Sequence, residues 1–167
     1  TIVTGAATAR LTNEDCAPGN GIHYLMDTIA LSKVVGKAIV KDGGNSWFFL
    51  TADYAFGHSL EKDTGDVVKQ SGGKVLGAVR HPLGTNDFSA FLLQAQSSGA
   101  KVVGLANAGG DTVNSIKAAA EFGLTQKQNL AALLMLITDV HAVGLDVAQG
   151  LYLTEAWYWD LNPETRQ

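Results

Sequence analysis

The chain has 167 residues, enough for one domain or slightly more, and its 46% hydrophobic and 17% charged residues are the proportions of an ordinary globular protein. A net charge of −4 with scattered Lys and Arg argues against a basic nucleic-acid footprint and against a cationic membrane-surface helix. No apolar stretch reaches the roughly 18 residues of a membrane span.

In chain order, "TIVTGAATA" (1–9) has strand character from its first residue and does not begin with Met. The chain is therefore expected to be part of a longer protein, and its lack of a signal peptide is weighed accordingly. Cys16 is the single cysteine, which excludes an internal disulfide. It reads as a free, partly buried thiol or as one half of a bridge to a residue elsewhere. Residues 21–44 read as one long helix ended by Gly43 and Gly44. "SWFFLTA" (46–52) is an aromatic and apolar strand. Residues 57–73 place Leu60, Val67 and Val68 at near-helical spacing, and Gly72-Gly73 stops the helix.

"KVLGAVRH" (74–81) is the next strand. Residues 86–100 put Phe88, Phe91, Leu92 and Ala95 on one helical face, with Asn86 or Asp87 as cap and Gly99 as terminator. "KVVGLAN" (101–107) is a strand and 111–124 a helix ended by Gly123. "NLAALLMLI" (129–137) is a strand, 139–150 a short helix or turn, and 150–159 a last strand. The alternation predicts an α/β fold, with a parallel sheet carrying helices on both faces. Strands that are apolar along their whole length fit a sheet covered on both sides.

The turn in "VVGLANAGGDT" (102–112) raises the question of chemistry, because a strand that opens into a helix through glycines is where α/β proteins hold ligands. It is not a nucleotide loop. There is no G-x-x-x-x-G-K-[ST] and no G-x-G-x-x-G, and no lysine follows to reach a phosphate. His23, His58, His81 and His141 form no metal-ligand spacing. "GHSLE" (57–61) departs from the nucleophile elbow G-x-S-x-G at its last position. Neither catalysis, a metal nor a cofactor is predicted.

What remains is the rim beyond the strands' carboxyl ends. It carries Asp53 and Tyr54 after the first long strand, Asn107, Ala108 and Asp111 after the third, and Asp139 after the fourth. An aromatic ring, an amide and a carboxylate suit a small polar molecule against an apolar wall. Each also has a structural reading: Asp53, Asp111 and Asp139 as helix caps, and Tyr54 as a core or hinge residue.

The residues "DYAFG", "TNDFS" and "GGD", in this order, resemble the C-terminal lobe of periplasmic substrate-binding proteins of the branched-chain amino acid transport type. "TIVTGAATARLTNEDC" resembles the end of that family's N-terminal lobe. The resemblance implies a type I periplasmic binding fold, two Rossmann-like lobes that close on a small ligand and present it to the membrane permease of an ABC transporter. It assigns 1–20 to the N-terminal lobe, 21–155 to the C-terminal ligand-binding lobe and 156–167 to the start of a returning hinge segment. It implies ligand contacts at Ala6, Thr8, Tyr54, Asn107 or Ala108, and Asp139, with the A-x-T turn meeting a carboxylate and Asp139 an ammonium.

Asp139 stands where such members often carry Glu, and "ANAGG" is a smaller turn than in the amino-acid binders. The implied ligand is therefore an amino acid, an amide or a larger aromatic carboxylate, and the implied location is periplasmic. Strand edges left without partners are expected to make the chain self-associate. The alternative reading on the same fold is the ligand-sensing domain of a receptor or regulator.

Overall fold

The computed structural model describes residues 1–16, 19–155 and 158–166. Five strands form one parallel sheet: β3 (Ser46–Ala52), β4 (Lys74–His81), β5 (Val102–Ala106), β6 (Asn129–Ala132) and β7 (Tyr152–Leu153), in spatial order β4-β3-β5-β6-β7. The connecting helices are α2 (Ala55–Gln70), α3 (Ser89–Ser97), α4 (Gly110–Glu121), α5 (Ile137–Val143) and α6 (Leu145–Ala148). A helix α1 (Thr28–Lys41) precedes β3, and a separate two-stranded parallel ribbon pairs β1 (Ile2–Val3) with β2 (Ile22–His23).

Side chains alternate across β3, so one strand feeds two cores. Trp47 and Phe49 pack with Leu31, Val35, Ile39, Leu60 and Val68 of α1 and α2. Phe48 and Leu50 face Phe88, Leu92 and Ile116 of the segment carrying α3 and α4. The parallel sheet with helices on both faces is thus as the sequence predicts. Every residue of β3 and β5 is buried. The edge strand β4 departs from the uniformly apolar expectation: Lys74, Leu76, Ala78 and Arg80 are exposed while Val75, Gly77 and Val79 are half-buried. An edge strand has a neighbour on one side only and little helix cover.

Three elements are shorter than the sequence predicts. The helix expected over 21–44 starts at Thr28, because Asp27 caps it by accepting the Ala30 N–H at 2.7 Å. Residues 22–23 instead pair with the N-terminal strand. The strand expected over 129–137 pairs only as far as Ala132. The Leu133 N–H still donates to the Leu105 carbonyl at 3.3 Å, Leu133 and Met135 stay buried, and Ile137 already opens α5. The strand expected over 150–159 pairs only at 152–153, and residues 156–157 lie outside the described residues. Cys16 is exposed rather than partly buried.

The connections β3-α2-β4 and β4-α3-β5 run in opposite directions along the sheet and use opposite faces. Helices diverge from the gap between the carboxyl ends of β3 and β5. Such a switch point is where open α/β sheets bind ligands.

Candidate functional site

At the end of β3 the chain turns through Asp53 and Tyr54 directly into α2. The turn is tight because of Gly57. A Cβ there would lie 2.1 Å from the Ala52 carbonyl oxygen and 3.0 Å from that of Ala106, so only glycine lets the helix start sit on the strand ends. Tyr54 is the N-cap of α2, yet no side chain caps the helix. Asp53, read from sequence as a possible cap, instead meets His58 Nε2 at 2.7 Å. Tyr54 is half-buried, with its ring 5.9 Å from that of Phe56. Burial, and then the nearby Asp111 carboxylate, hold the Tyr54 phenol above its ordinary range, so it stays a protonated donor.

At the end of β5 the Asn107 side chain is fully buried. Its oxygen accepts from the Thr112 hydroxyl at 2.7 Å and its nitrogen lies 3.2 Å from His81 Nε2. His81 Nδ1 lies 2.9 Å from the Pro82 carbonyl. A carbonyl can only accept, so Nδ1 carries the hydrogen and Nε2 offers its lone pair to the Asn107 amide. Phe88 meets the His81 ring edge-on at 4.9 Å. Gly109 then takes φ 57° and ψ −130°, a backbone conformation that residues with a side chain rarely adopt, and α4 begins. Asp111 is buried in the first turn of α4, where it accepts the Gly84 N–H at 3.2 Å.

The opposite wall comes from the N-terminal segment. The Ala6 carbonyl accepts from His23 Nε2 at 2.8 Å, and the Ala7 carbonyl accepts the Thr28 N–H at 2.8 Å. These bonds tie the "GAAT" turn to β2 and to the start of α1. Thr8 caps a short 3-10 turn over Ala9–Leu11. Arg10 lies beside Asp15, with Nε 3.0 Å and Nη2 3.2 Å from its two carboxylate oxygens.

Between these walls is a cleft of about 530 Å³. Gly5, Ala6, Ala7, Thr8, Arg10 and Asp15 line one side; Tyr54, Ala55, Phe56, Ser59, Ala108 and Leu134 line the other. The cleft therefore gathers Ala6, Thr8, Tyr54 and Ala108 of the residues expected from sequence. Asn107 lies beneath it, committed to His81 and Thr112. Asp139 is not among its lining residues. Its carboxylate accepts the Leu136 N–H at 2.9 Å and caps α5. Ser59, His141 and Asp139 are not joined by any hydrogen bond.

Comparison with known proteins bears on what this cleft holds. The family described as periplasmic binding protein matches residues 1–167. The chain belongs to the periplasmic binding protein family. A solved periplasmic binding protein from Burkholderia mallei is 64% identical, with a TM-score of 0.94 over 99% of this chain and 44% of its own. A branched-chain amino acid ABC transporter periplasmic ligand-binding protein from Burkholderia xenovorans is 33% identical, with a TM-score of 0.89 over 99% of this chain and 44% of its own. An ABC transporter solute-binding protein from R. palustris, solved with 4-hydroxybenzoate, is 26% identical, with a TM-score of 0.71 over 78% of this chain and 35% of its own. Among curated proteins none matches. This periplasmic binding protein chain thus spans less than half the length of these solved relatives.

Sequence reasoning missed Arg10, Asp15, Ser59 and Leu134 as lining residues of this family member's cleft. Ser59 had a signal: it lies five residues after Tyr54 and one turn into α2. Arg10 had one too, two residues beyond Thr8 in the same turn. Asp15 and Leu134 had none, since their positions follow from how chain segments leave the 3-10 turn and β6.

Proposed function

We propose that this chain is the ligand-binding part of the periplasmic solute-binding component of an ABC transporter. It captures a small organic ligand and delivers it to a membrane permease; it performs no catalysis. Residues 1–20 are the end of an N-terminal lobe, 21–155 the C-terminal lobe, and 156–167 the start of a hinge segment. The observation that carries this reading is the position of the cleft. It sits at the switch point of the sheet, walled on its far side by the N-terminal segment, with Tyr54, Phe56, Ala108 and Leu134 as an apolar face and Thr8 and Ser59 as polar groups.

Ala6, Thr8, Tyr54 and Ala108 are the proposed ligand contacts. The uncapped start of α2 adds backbone N–H groups that favour an acceptor on the ligand. Amino acids, amides and aromatic carboxylates are the classes that fit this lining. The relatives support two of these classes: one is named for branched-chain amino acids and another was solved with 4-hydroxybenzoate.

The test is calorimetric titration and thermal shift of the full-length protein carrying this sequence, against members of each class. A true ligand at a hundred times its Kd should stabilise the folded state by about 2.7 kcal/mol. A protein that turns over a ligand, or responds to none of the three classes, overturns the proposal.

A further inference from the structure

We infer that Asn20 is a site of spontaneous modification: its side-chain amide closes on the Gly21 nitrogen, and the isoaspartyl residue that results unpairs β2 from β1 and frees the "GAAT" turn of the cleft wall. The inference does not depend on which ligand the cleft takes.

The chemistry is intramolecular. The Gly21 nitrogen attacks Asn20 Cγ, its proton passes to the departing amide nitrogen, and the Cγ–Nδ2 bond breaks with loss of ammonia, leaving a cyclic succinimide. Water then adds to one of the two ring carbonyls. Opening at Cγ gives Asp. Opening at the former main-chain carbonyl gives isoaspartate, in which the chain runs on through Cβ and Cγ and is one backbone atom longer. Either product carries one more negative charge than Asn.

Three observations single out Asn20. It is the only asparagine of the chain followed by glycine, so no side chain at the next position stands against the attacking nitrogen. It lies in an exposed turn with Gly19 at φ 85° before it, and a Cβ added at Gly19 or Gly21 would meet nothing within 4 Å, so the ring has room to form. Among the described residues, neither the Asn20 side chain nor the Gly21 N–H is held by a hydrogen bond. Asp42-Gly43, which can form the same ring by losing water, is the contrast. The Gly43 N–H donates to the Val40 carbonyl at 3.1 Å, so its nitrogen is held in the turn that ends α1.

What the extra atom does follows from the ribbon. The Thr1 nitrogen donates to the Asn20 carbonyl at 2.8 Å, and the Ile22 N–H donates to the Thr1 carbonyl at 2.9 Å. In isoaspartate the first of these acceptors leaves the main chain as a free carboxylate, and the longer path to Ile22 displaces the Ile2–Ile22 and Val3–His23 pairs. Only these two pairs form the ribbon, and Ile2 and Ile22 are 66% and 59% exposed, so little burial resists the change. His23 is the residue that holds the Ala6 carbonyl at 2.8 Å, and Ala6 and Thr8 line the cleft.

The experiment stores the full-length protein in mildly alkaline buffer and samples it by peptide mass mapping, by enzymatic methylation of isoaspartate and by hydrogen exchange. The peptide holding Asn20 should show the mass change of NH2 replaced by OH, accept methyl groups, and react faster than any other asparagine peptide. In the isoaspartyl fraction, exchange at the Ile22 and Tyr24 amides, which donate to Thr1 and Val3, should quicken roughly threefold to tenfold, the loss of one ordinary hydrogen bond each. Protection in β3 and β5 should not change. Gly21→Ala has open space for its methyl and no left-handed φ to strain, so it should fold normally while its Asn20 reacts no faster than the other asparagines. Freshly prepared Asn20→Asp carries the new charge on a chain of ordinary length and should keep the Ile22 and Tyr24 protection.

An Asn20 that stays intact while other asparagines react, or one that reacts equally fast in Gly21→Ala, overturns the site. Isoaspartate at position 20 with unchanged exchange at Ile22 and Tyr24, or the same quickening in Asn20→Asp, overturns its effect on the ribbon. Neither result bears on whether the cleft binds a solute.

Discussion

Asn107 illustrates how a residue can stand at a ligand site and serve the fold. Its amide joins His81 and Thr112, all three fully buried, and sets the chain path from β5 to Ala108. Removing it orphans a buried hydroxyl and a buried ring nitrogen, and each unsatisfied group costs about 1–3 kcal/mol. Asn107→Ala should therefore lower the urea midpoint strongly at unchanged m-value. Thr112→Val in the same background should cost less than it does alone, because the two residues share one hydrogen bond. Additive effects of the two changes would show that the bond is not part of the folded state. An Asn107→Ala protein of normal stability but weakened ligand binding would return Asn107 to the cleft lining.

At the scale of elements, the start of α2 is fixed by a contact that no side chain survives. A methyl at position 57 would overlap the Ala52 carbonyl at 2.1 Å, and backbone on both sides cannot retreat without breaking β3 or α2. Gly57→Ala should destabilise by about 1–3 kcal/mol or more. Ligand affinity should fall with it, since Tyr54, Ala55 and Phe56 would shift; chemical denaturation and titration of one preparation measure both. A Gly57→Ala protein of unchanged stability would mean that the turn is looser than described.

The sequence made some elements legible and hid others for the same reason. Apolar runs gave β3, β4 and β5 to within a residue at each end, and glycine stops gave α2 and α4 to within about three residues. Apolarity reports burial, though, and not pairing. Leu133 and Met135 are as buried as any strand residue, yet residue pairing with β5 stops at Ala132 and only the Leu133 N–H still reaches the Leu105 carbonyl. Ile22, Leu25 and Met26 mimic a helical stripe, and only the Asp27 cap marks the true start. At the site, Tyr54 and Ala108 followed from strand ends, and Ala6 and Thr8 from the family resemblance. Arg10 and Asp15 required the folded path of the N-terminal segment.

On the scale of the whole molecule, the two edges of the sheet differ in how they meet solvent. β4 is guarded by Lys74 and Arg80, exposed charges of the kind that discourage strand addition. β7 is short, and beside it Leu145, Leu153 and Tyr158 are 70%, 40% and 41% exposed around a cleft of about 390 Å³. The run at 130–137, an expected contributor to association, is mostly core: Leu130, Leu133 and Met135 are buried, Leu134 is half-buried against the ligand cleft, and Leu136 and Ile137 are exposed. Self-association of the 167-residue chain is therefore expected through the β7 side. Sedimentation velocity should show a weight-average coefficient that rises with concentration. Burying one leucine is worth about 1.5–3 kcal/mol, so Leu145→Lys with Leu153→Lys should weaken association roughly tenfold or more. Leu76→Lys on the β4 side should not change it. A monomer at every concentration would show that this apolar face does not drive pairing, and an effect of Leu76→Lys equal to that of the β7-side pair would move the contact to the other edge.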